Sequence, residues 1–331
     1  MSEGVRVRLL KLLEKSMAGF VSGSSLANEL AVSRAAVWKA VESLRSEGYE
    51  ITAVTNKGYR LTSGEDIFSQ TGIARHIKTD GVFNVQMRKS VTSTNTVLRD
   101  MAGNDAPEGT VIVAHTQTAG KGRQGRYFYS PADNGVYFSL LLRPGAGKAS
   151  EAALITSAAA VSVARAIEEV FGTYVEIKWV NDLLLNGKKV CGILTEAVFG
   201  MESGVIESAV LGIGINVTRP ENEFPGTLNE VAAPIVENTG KMDSERCRLV
   251  AATLDFFWEY YSDLARRGFL QEYRKRSIVL DRDVFVMAGE EETPALVLGI
   301  DDNCGLLVRY ATTGETVTLN SGEVRIRPAG I

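Results

Sequence analysis

The stretch AGKGRQGR at 119–126 sets Lys121, Arg123 and Arg126 among three glycines, between two apolar runs. A pliable loop of this kind can turn backbone N–H groups and cations toward one anion, so phosphate chemistry is the first use to weigh. Gly120, Gly122 and Gly125 even keep the G-x-G-x-x-G spacing of a dinucleotide fingerprint. That fingerprint needs a helix after the glycines, so that the phosphate meets a helix N-terminus. TVIVAHTQ (110–117) supplies a strand before the loop, but Pro131 and an Asn134-Gly135 turn lead into a second β-rich run after it. A P-loop fails too, because Arg126-Tyr127 stands where Lys-Ser/Thr is required. A solvated basic loop is the bland alternative.

A second polar cluster interrupts VEIKWVNDLLLNGKKVCGILTEAVF (175–199). Lys178, Asn181 and Asp182 precede the Asn186-Gly187 turn, and Lys188 and Lys189 follow it. Taken alone, Lys178 and Asp182 could be a structural ion pair and the two later lysines turn solubilisers. Taken with the glycine loop, they suggest cations converging on an anion richer than one carboxylate, such as an adenylate and its departing pyrophosphate. TSTN (92–95) adds hydroxyls and an amide at a strand-to-helix turn, where one residue is expected to cap the helix. Gln117 stands just before the loop.

The elements that must hold these groups are readable. Strands are expected around 83–90, 110–117 and 135–142, then a helix over EAALITSAAAVSVARAIEEVFG whose Leu154, Ala158, Val161 and Ile167 form one face. Asn186-Gly187 is a strong hairpin signal, predicting antiparallel strands at 183–185 and 190–198, with another at 209–217. Antiparallel strands with helices outside them give an α+β class with a mixed, largely antiparallel sheet. A helix is expected over 244–268, and VFV, ALVLGI, GLLVRY, TVTL and EVRIR then read as short strands of a C-terminal SH3-like β-barrel.

Over 331 residues, 45% apolar and 23% charged is ordinary globular composition, with room for two or three domains. No run suits a membrane span and no secretory leader is visible, which predicts a cytoplasmic protein. Cys191, Cys247 and Cys304 lie far apart in apolar stretches and are expected in the core. His76 and His115 have no metal-ligand spacing. Residues 1–62 carry nine Lys/Arg against six Asp/Glu, a balance of +3 within a net charge of −4, which directs attention to nucleic acid. There VRLLKLLEKS and SSLANEL read as helices, Ala31-Val32 as a turn, and Ser33 as N-cap of a third helix. Val37, Val41 and Leu44 share its inner stripe, leaving Arg34, Trp38, Lys39 and Arg45 outward. A hairpin over 49–62, with Lys57 and Arg60, completes a winged helix-turn-helix. So small a reader predicts a dimer on a two-part operator; a protein-binding helical module is the alternative.

STN at 93–95, QTAGKGRQGR at 117–126, KWVND at 178–182, KKVCGIL at 188–194 and GIGIN at 212–216 together resemble the biotin protein ligases. With its winged helix the chain is similar to the bifunctional members that also repress the biotin operon. The resemblance implies that biotin and Mg-ATP give biotinyl-5′-AMP and pyrophosphate, after which a lysine of the biotin carboxyl carrier domain of acetyl-CoA carboxylase takes the biotinyl group. It implies that Ser93, Thr94, Asn95, Gln117, Lys121, Gly122 and Arg123 bind biotin, and that Arg123, Arg126 and Asn216 attend the nucleotide. Lys178, Asp182 and Lys189 would be catalytic, Lys189 meeting the biotin carboxylate, with Mg2+ held through ATP and no protein metal cage. Ser33, Arg34, Trp38, Lys39, Lys57 and Arg60 would face operator DNA, and the adenylate would promote a homodimer. The implied divisions are 1–64, 65–275 and 276–331. The chain departs from the family pattern at Lys121, where arginine is frequent, at Val180 in place of proline, and at Phe128 in place of tryptophan. A biotin-sensing repressor without catalysis, and a lipoate or octanoate ligase, are the competing readings.

Overall fold

The computed structural model describes residues 4–16, 19–62, 67–144, 151–199, 206–221, 223–238, 241–288 and 291–326. The expected division at 64/65 lies outside the described residues. Helices α1 (Val5–Lys15), α2 (Gly23–Leu30) and α3 (Arg34–Ser46) are followed by strands β1 (Ile51–Val54) and β2 (Gly58–Leu61), paired antiparallel. Ala31, at φ 54°, makes the left-handed turn between α2 and α3, and the Ser33 hydroxyl accepts from the Ala36 N–H at 3.2 Å. Leu9, Leu10, Leu26, Val37, Val41 and Leu44 close a small apolar core of their own. Arg45 is exposed, as expected, and its guanidinium donates to the Ile51 carbonyl at 2.6 and 3.0 Å, tying α3 to the hairpin.

Short helix α4 (Gln70–Ala74) joins this unit to a seven-stranded sheet. Glu47, just after α3, accepts from the Thr71 N–H and hydroxyl at 3.0 and 2.9 Å, and Arg75 pairs with Glu14. The sheet begins with β3 (Asn84–Val91), α5 (Thr94–Ala102), β4 (Thr110–Gln117) and β5 (Gly135–Leu142). After α6 (Glu151–Phe171) come β6 (Glu176–Lys178), β7 (Asp182–Leu185), β8 (Lys188–Phe199) and β9 (Ile206–Asn216). Strand order is β3-β4-β5-β9-β8-β7-β6; β3 and β4 run parallel, because α5 crosses between them, and the other pairs are antiparallel. Asn186 and Gly187, at φ 52° and 79°, turn β7 into β8 as their sequence predicts.

Helix α6 departs from the one-faced helix expected for it. Residues 154–164 are buried without a break, because the helix lies between the sheet and α8 (Asp243–Tyr261), which follows the short α7 (Leu228–Val231). Small residues make such double burial possible: Ala158, Ala159, Ala160 and Ala164 let both neighbours approach. Helix α8 stops at Tyr261, short of the expected 268, and a 3-10 turn at Leu264–Arg266 ends in left-handed Arg267. Helix α9 (Leu270–Arg276) leads to β10 (Asp283–Ala288), β11 (Glu291–Ile300), β12 (Leu306–Tyr310), β13 (Thr316–Leu319) and β14 (Glu323–Ile326). These form an antiparallel sheet in the order β13-β12-β11-β10-β14, with no pairing that closes it among the described residues. Its buried side chains, including Val284, Val297, Leu306 and Val324, join the same apolar cluster as the central sheet. The three cysteines are buried, as expected, and burial pushes the Cys304 thiol up to about 11.

Candidate active site

A pocket opens where the start of α5, the end of β4, the glycine loop and the middle of β8 and β9 meet. Ser93, Thr94, Asn95, Gln117, Lys121, Gly122, Arg123 and Lys189 line it, so the structure brings these predicted residues together from four separate parts of the chain. Ser93 holds the N-cap position of α5 but makes no side-chain cap bond, contrary to the capping role expected within TSTN.

The floor is a buried polar network. The Gln117 side-chain carbonyl accepts from the Thr94 N–H at 2.8 Å and from its hydroxyl at 3.2 Å, while its amide N–H donates to Ser130 at 2.9 Å. Asn95 Oδ1 accepts from the Ser139 hydroxyl at 2.6 Å, and Asn95 Nδ2 donates to Glu196 at 2.8 Å. Buried polar atoms of this kind are costly unless paired, so the network holds these side chains in set rotamers. Sequence reasoning missed Ser130, Ser139 and Glu196, since isolated serines and a strand glutamate carry no local signal. The glycines of β9 are legible once the contacts are known. A Cβ on Gly212 would stand 2.0 Å from Asn95 Oδ1, and one on Gly214 would stand 2.6 Å from the Phe128 ring.

The loop above the floor is a tight hairpin. Gly122 N–H donates to the Arg126 carbonyl at 2.7 Å, Phe128 N–H donates to the Gly120 carbonyl at 2.9 Å, and Gln124 and Gly125 turn the chain at φ 55° and 73°. No helix of the Rossmann kind follows; the chain passes directly toward β5. Arg123 donates to the Asn181 side chain at 3.0 Å, closing the loop against the segment between β6 and β7. Arg126 turns away from the pocket and bonds Glu323 of β14 at 2.6 Å, which holds the Glu323 carboxyl below the ordinary carboxylate range.

Lys189 Nζ lies 2.7 Å from Asp182 Oδ1, a close ammonium–carboxylate contact. Asp182 therefore pairs with Lys189 and not, as the isolated motif allowed, in a closed pair with Lys178. Lys178 faces Asp182 across the β6–β7 register but does not line the pocket. Lys188, one residue from Lys189, points the other way and donates to the Asn229 carbonyl at 3.2 Å. Asn216 stands two residues beyond Gly214 on the same face of β9, outside the lining, with Nδ2 3.4 Å from the Lys189 carbonyl. The KWVND segment is braced from the C-terminal side: Trp179 donates to the Cys304 carbonyl at 2.9 Å and Tyr273 to the Val180 carbonyl at 3.0 Å.

In the winged helix, Ser33, Arg34, Trp38 and Lys39 at and on α3 and Lys57 on the wing are exposed. Arg60 is half-buried, its guanidinium 4.9 Å from the Phe20 ring.

Residues 87–216 match the Biotin/lipoate A/B protein ligase family, and residues 6–60 match an HTH domain. The chain is 39% identical over 270 residues to the bifunctional ligase/repressor BirA of Bacillus subtilis (strain 168), covering 81% of this chain and 82% of that protein. The chain belongs to the bifunctional biotin ligase/repressor family. A second BirA, from Escherichia coli (strain K12), is 29% identical over 331 residues and covers 98% of both chains. A solved structure of the biotin protein ligase from Aquifex aeolicus in complex with biotin and ATP overlays 74% of this chain and 99% of that one, at TM-score 0.61 and 26% identity. The overlay extends the family assignment to the fold that carries the pocket.

Proposed function

We propose that the chain activates biotin with ATP to biotinyl-5′-AMP, transfers the biotinyl group to a carrier-protein lysine, and uses the same adenylate to control binding to DNA. One observation carries the reading: a buried hydroxyl and amide floor meets Lys121, Arg123 and Lys189 beneath a glycine-rich loop. Ser93, Thr94, Asn95 and Gln117 bind the ureido end of biotin, which needs hydrogen-bond partners of both kinds in a dry place. Lys189 exchanges its contact with Asp182 for the biotin carboxylate. It then stays beside the phosphorus as that carboxylate attacks the α-phosphate of ATP and pyrophosphate leaves. Cations fixed where negative charge develops lower the barrier without reorganising at the moment of reaction.

Lys121, Gly122 and Arg123 close over the adenylate and keep water from a reactive mixed anhydride. Arg126 and Asn216 attend the nucleotide, which requires Arg126 to leave Glu323. Among the described residues no group of three or more carboxylate, histidine or cysteine side chains stands ready for a metal. Mg2+ arrives with the ATP phosphates, with Lys178 and Asp182 beside them. The acceptor lysine belongs to the biotin carboxyl carrier domain of acetyl-CoA carboxylase.

The N-terminal unit, 1–64, reads operator DNA through Ser33, Arg34, Trp38, Lys39, Lys57 and Arg60 as an adenylate-dependent homodimer. Residues 65–275 carry catalysis, and 276–331 form an SH3-like module that braces it. No helix among the described residues is long and apolar enough to cross a membrane, and the cytoplasm, where ATP and carboxylases meet, suits the reaction. The test is biotin-dependent exchange of labelled pyrophosphate into ATP, followed by transfer to a carrier domain. Folded protein that binds biotin without exchange would leave only a sensor, and exchange driven by lipoate or octanoate instead would move the substrate assignment.

A further inference from the structure

We propose that Glu196, on β8 and outside the pocket lining, is a positioning residue that fixes which way the Asn95 amide faces and so sets the pocket's hydrogen-bond polarity. The proposal rests on the biotin reading given above. An amide side chain can present its oxygen or its nitrogen to the same place, and its partners decide between them. Asn95 Nδ2 donates to Glu196 at 2.8 Å and approaches the Leu194 carbonyl at 3.4 Å, so both of its N–H groups are directed to β8. Asn95 Oδ1 accepts one bond, from Ser139, and an amide oxygen has two lone pairs.

Gln117 is committed in the opposite sense. Its oxygen takes both the N–H and the hydroxyl of Thr94, and its nitrogen gives one of two hydrogens to Ser130. The pocket is left with one free acceptor at Asn95 and one free donor at Gln117. A cyclic urea, with N–H beside C=O, is the complement.

Of the groups around Asn95, Glu196 at 2.8 Å is the nearer of the two that oppose the reverse orientation, the other being the Leu194 carbonyl at 3.4 Å, which also can only accept. Ser139 can donate to an oxygen or accept from a nitrogen by rotating its hydroxyl, so it tolerates either. A carboxylate can only accept, and a flipped amide would turn Oδ1 against it. Arg99, one turn along α5 from Asn95, holds the carboxylate from its other side at 3.5 Å. Gly212 leaves the space that Oδ1 occupies, since a Cβ there would stand 2.0 Å away.

The experiment measures Kd by calorimetry on the full chain for biotin and for the two cyclic carbamates in which one or other ring N–H is replaced by oxygen. In the unsubstituted protein the carbamate that sets oxygen against Asn95 Oδ1 should bind about a hundredfold more weakly than biotin. Glu196→Gln keeps size and shape but can accept or donate, so that ratio should fall roughly tenfold; Glu196→Leu should lower it further. A role confined to structure would weaken all three ligands together and leave the ratio intact. An unchanged ratio in folded Glu196→Gln overturns the proposal while leaving the biotin reading standing. Failure of the unsubstituted protein to bind biotin at all overturns both.

Discussion

Lys188 and Lys189 are indistinguishable by type and adjacent in the chain, yet one reaches the Asn229 carbonyl at the surface and the other reaches Asp182 beside the pocket. Strand alternation separates them, because neighbours on β8 point to opposite faces. Lys189→Ala should therefore lower the rate of adenylate formation by at least about a hundredfold, while Lys188→Ala stays within about twofold. Equal losses in single-turnover assays would remove Lys189 from its role. His115 offers a different check. Burial, and then the nearby Arg246 charge, hold its pKa below the ordinary 6.5. The unfolded chain takes up that proton as pH falls through 6.5, whereas the folded chain resists until lower pH, so this site contributes stability above 6.5 that is lost on acidification. His115→Gln should shrink the difference between urea midpoints measured at about pH 7 and about pH 5; an unaltered difference would show that other groups carry it.

The glycine loop gains its meaning from what it touches. Its hairpin bonds are internal, but Arg123 grips Asn181 and Arg126 grips Glu323, so one short element spans the pocket between the central sheet and β14. Both partners lie far along the chain, so AGKGRQGR by itself leaves open a solvated basic loop. Pro131, the Asn134-Gly135 turn and the β-rich run after it, in place of a helix, exclude the dinucleotide fingerprint; only the folded chain supplies the contacts. Arg123→Gly should speed dissociation of biotinyl-5′-AMP by about tenfold or more, read by chasing labelled adenylate, because one charge-assisted bond holding the lid shut is lost. An unchanged off-rate would mean that the loop does not act as a lid. Helix α6 shows the converse failure: its apolar face was legible, but the arrival of α8 on the opposite side, which buries residues 154–164, was not.

Across the whole molecule, the winged helix keeps its own small core, while the central and C-terminal sheets share one. Contacts such as Glu47 to Thr71 and Arg75 to Glu14 join the first body to the second through polar groups. That arrangement suits a reader whose placement can respond to the site. Operator binding should weaken steeply with salt and require the adenylate, as fluorescence anisotropy on a two-part DNA site would register; affinity indifferent to both salt and adenylate would count against the dimeric reader. The amino-acid sequence by itself determined the class of the N-terminal and central units, the C-terminal run of short strands, the hairpin at Asn186-Gly187, the helix-turn-helix, and the polar motifs from which the family was read. Those are local matters of period, turn chemistry and residue type. Tertiary structure alone decided that Asp182 pairs with Lys189, that Glu196 and Ser139 stand behind Asn95, and that Glu323 holds Arg126. Each of these joins atoms from different strands, where register and packing, not neighbouring sequence, bring charge and hydrogen-bond partners within reach.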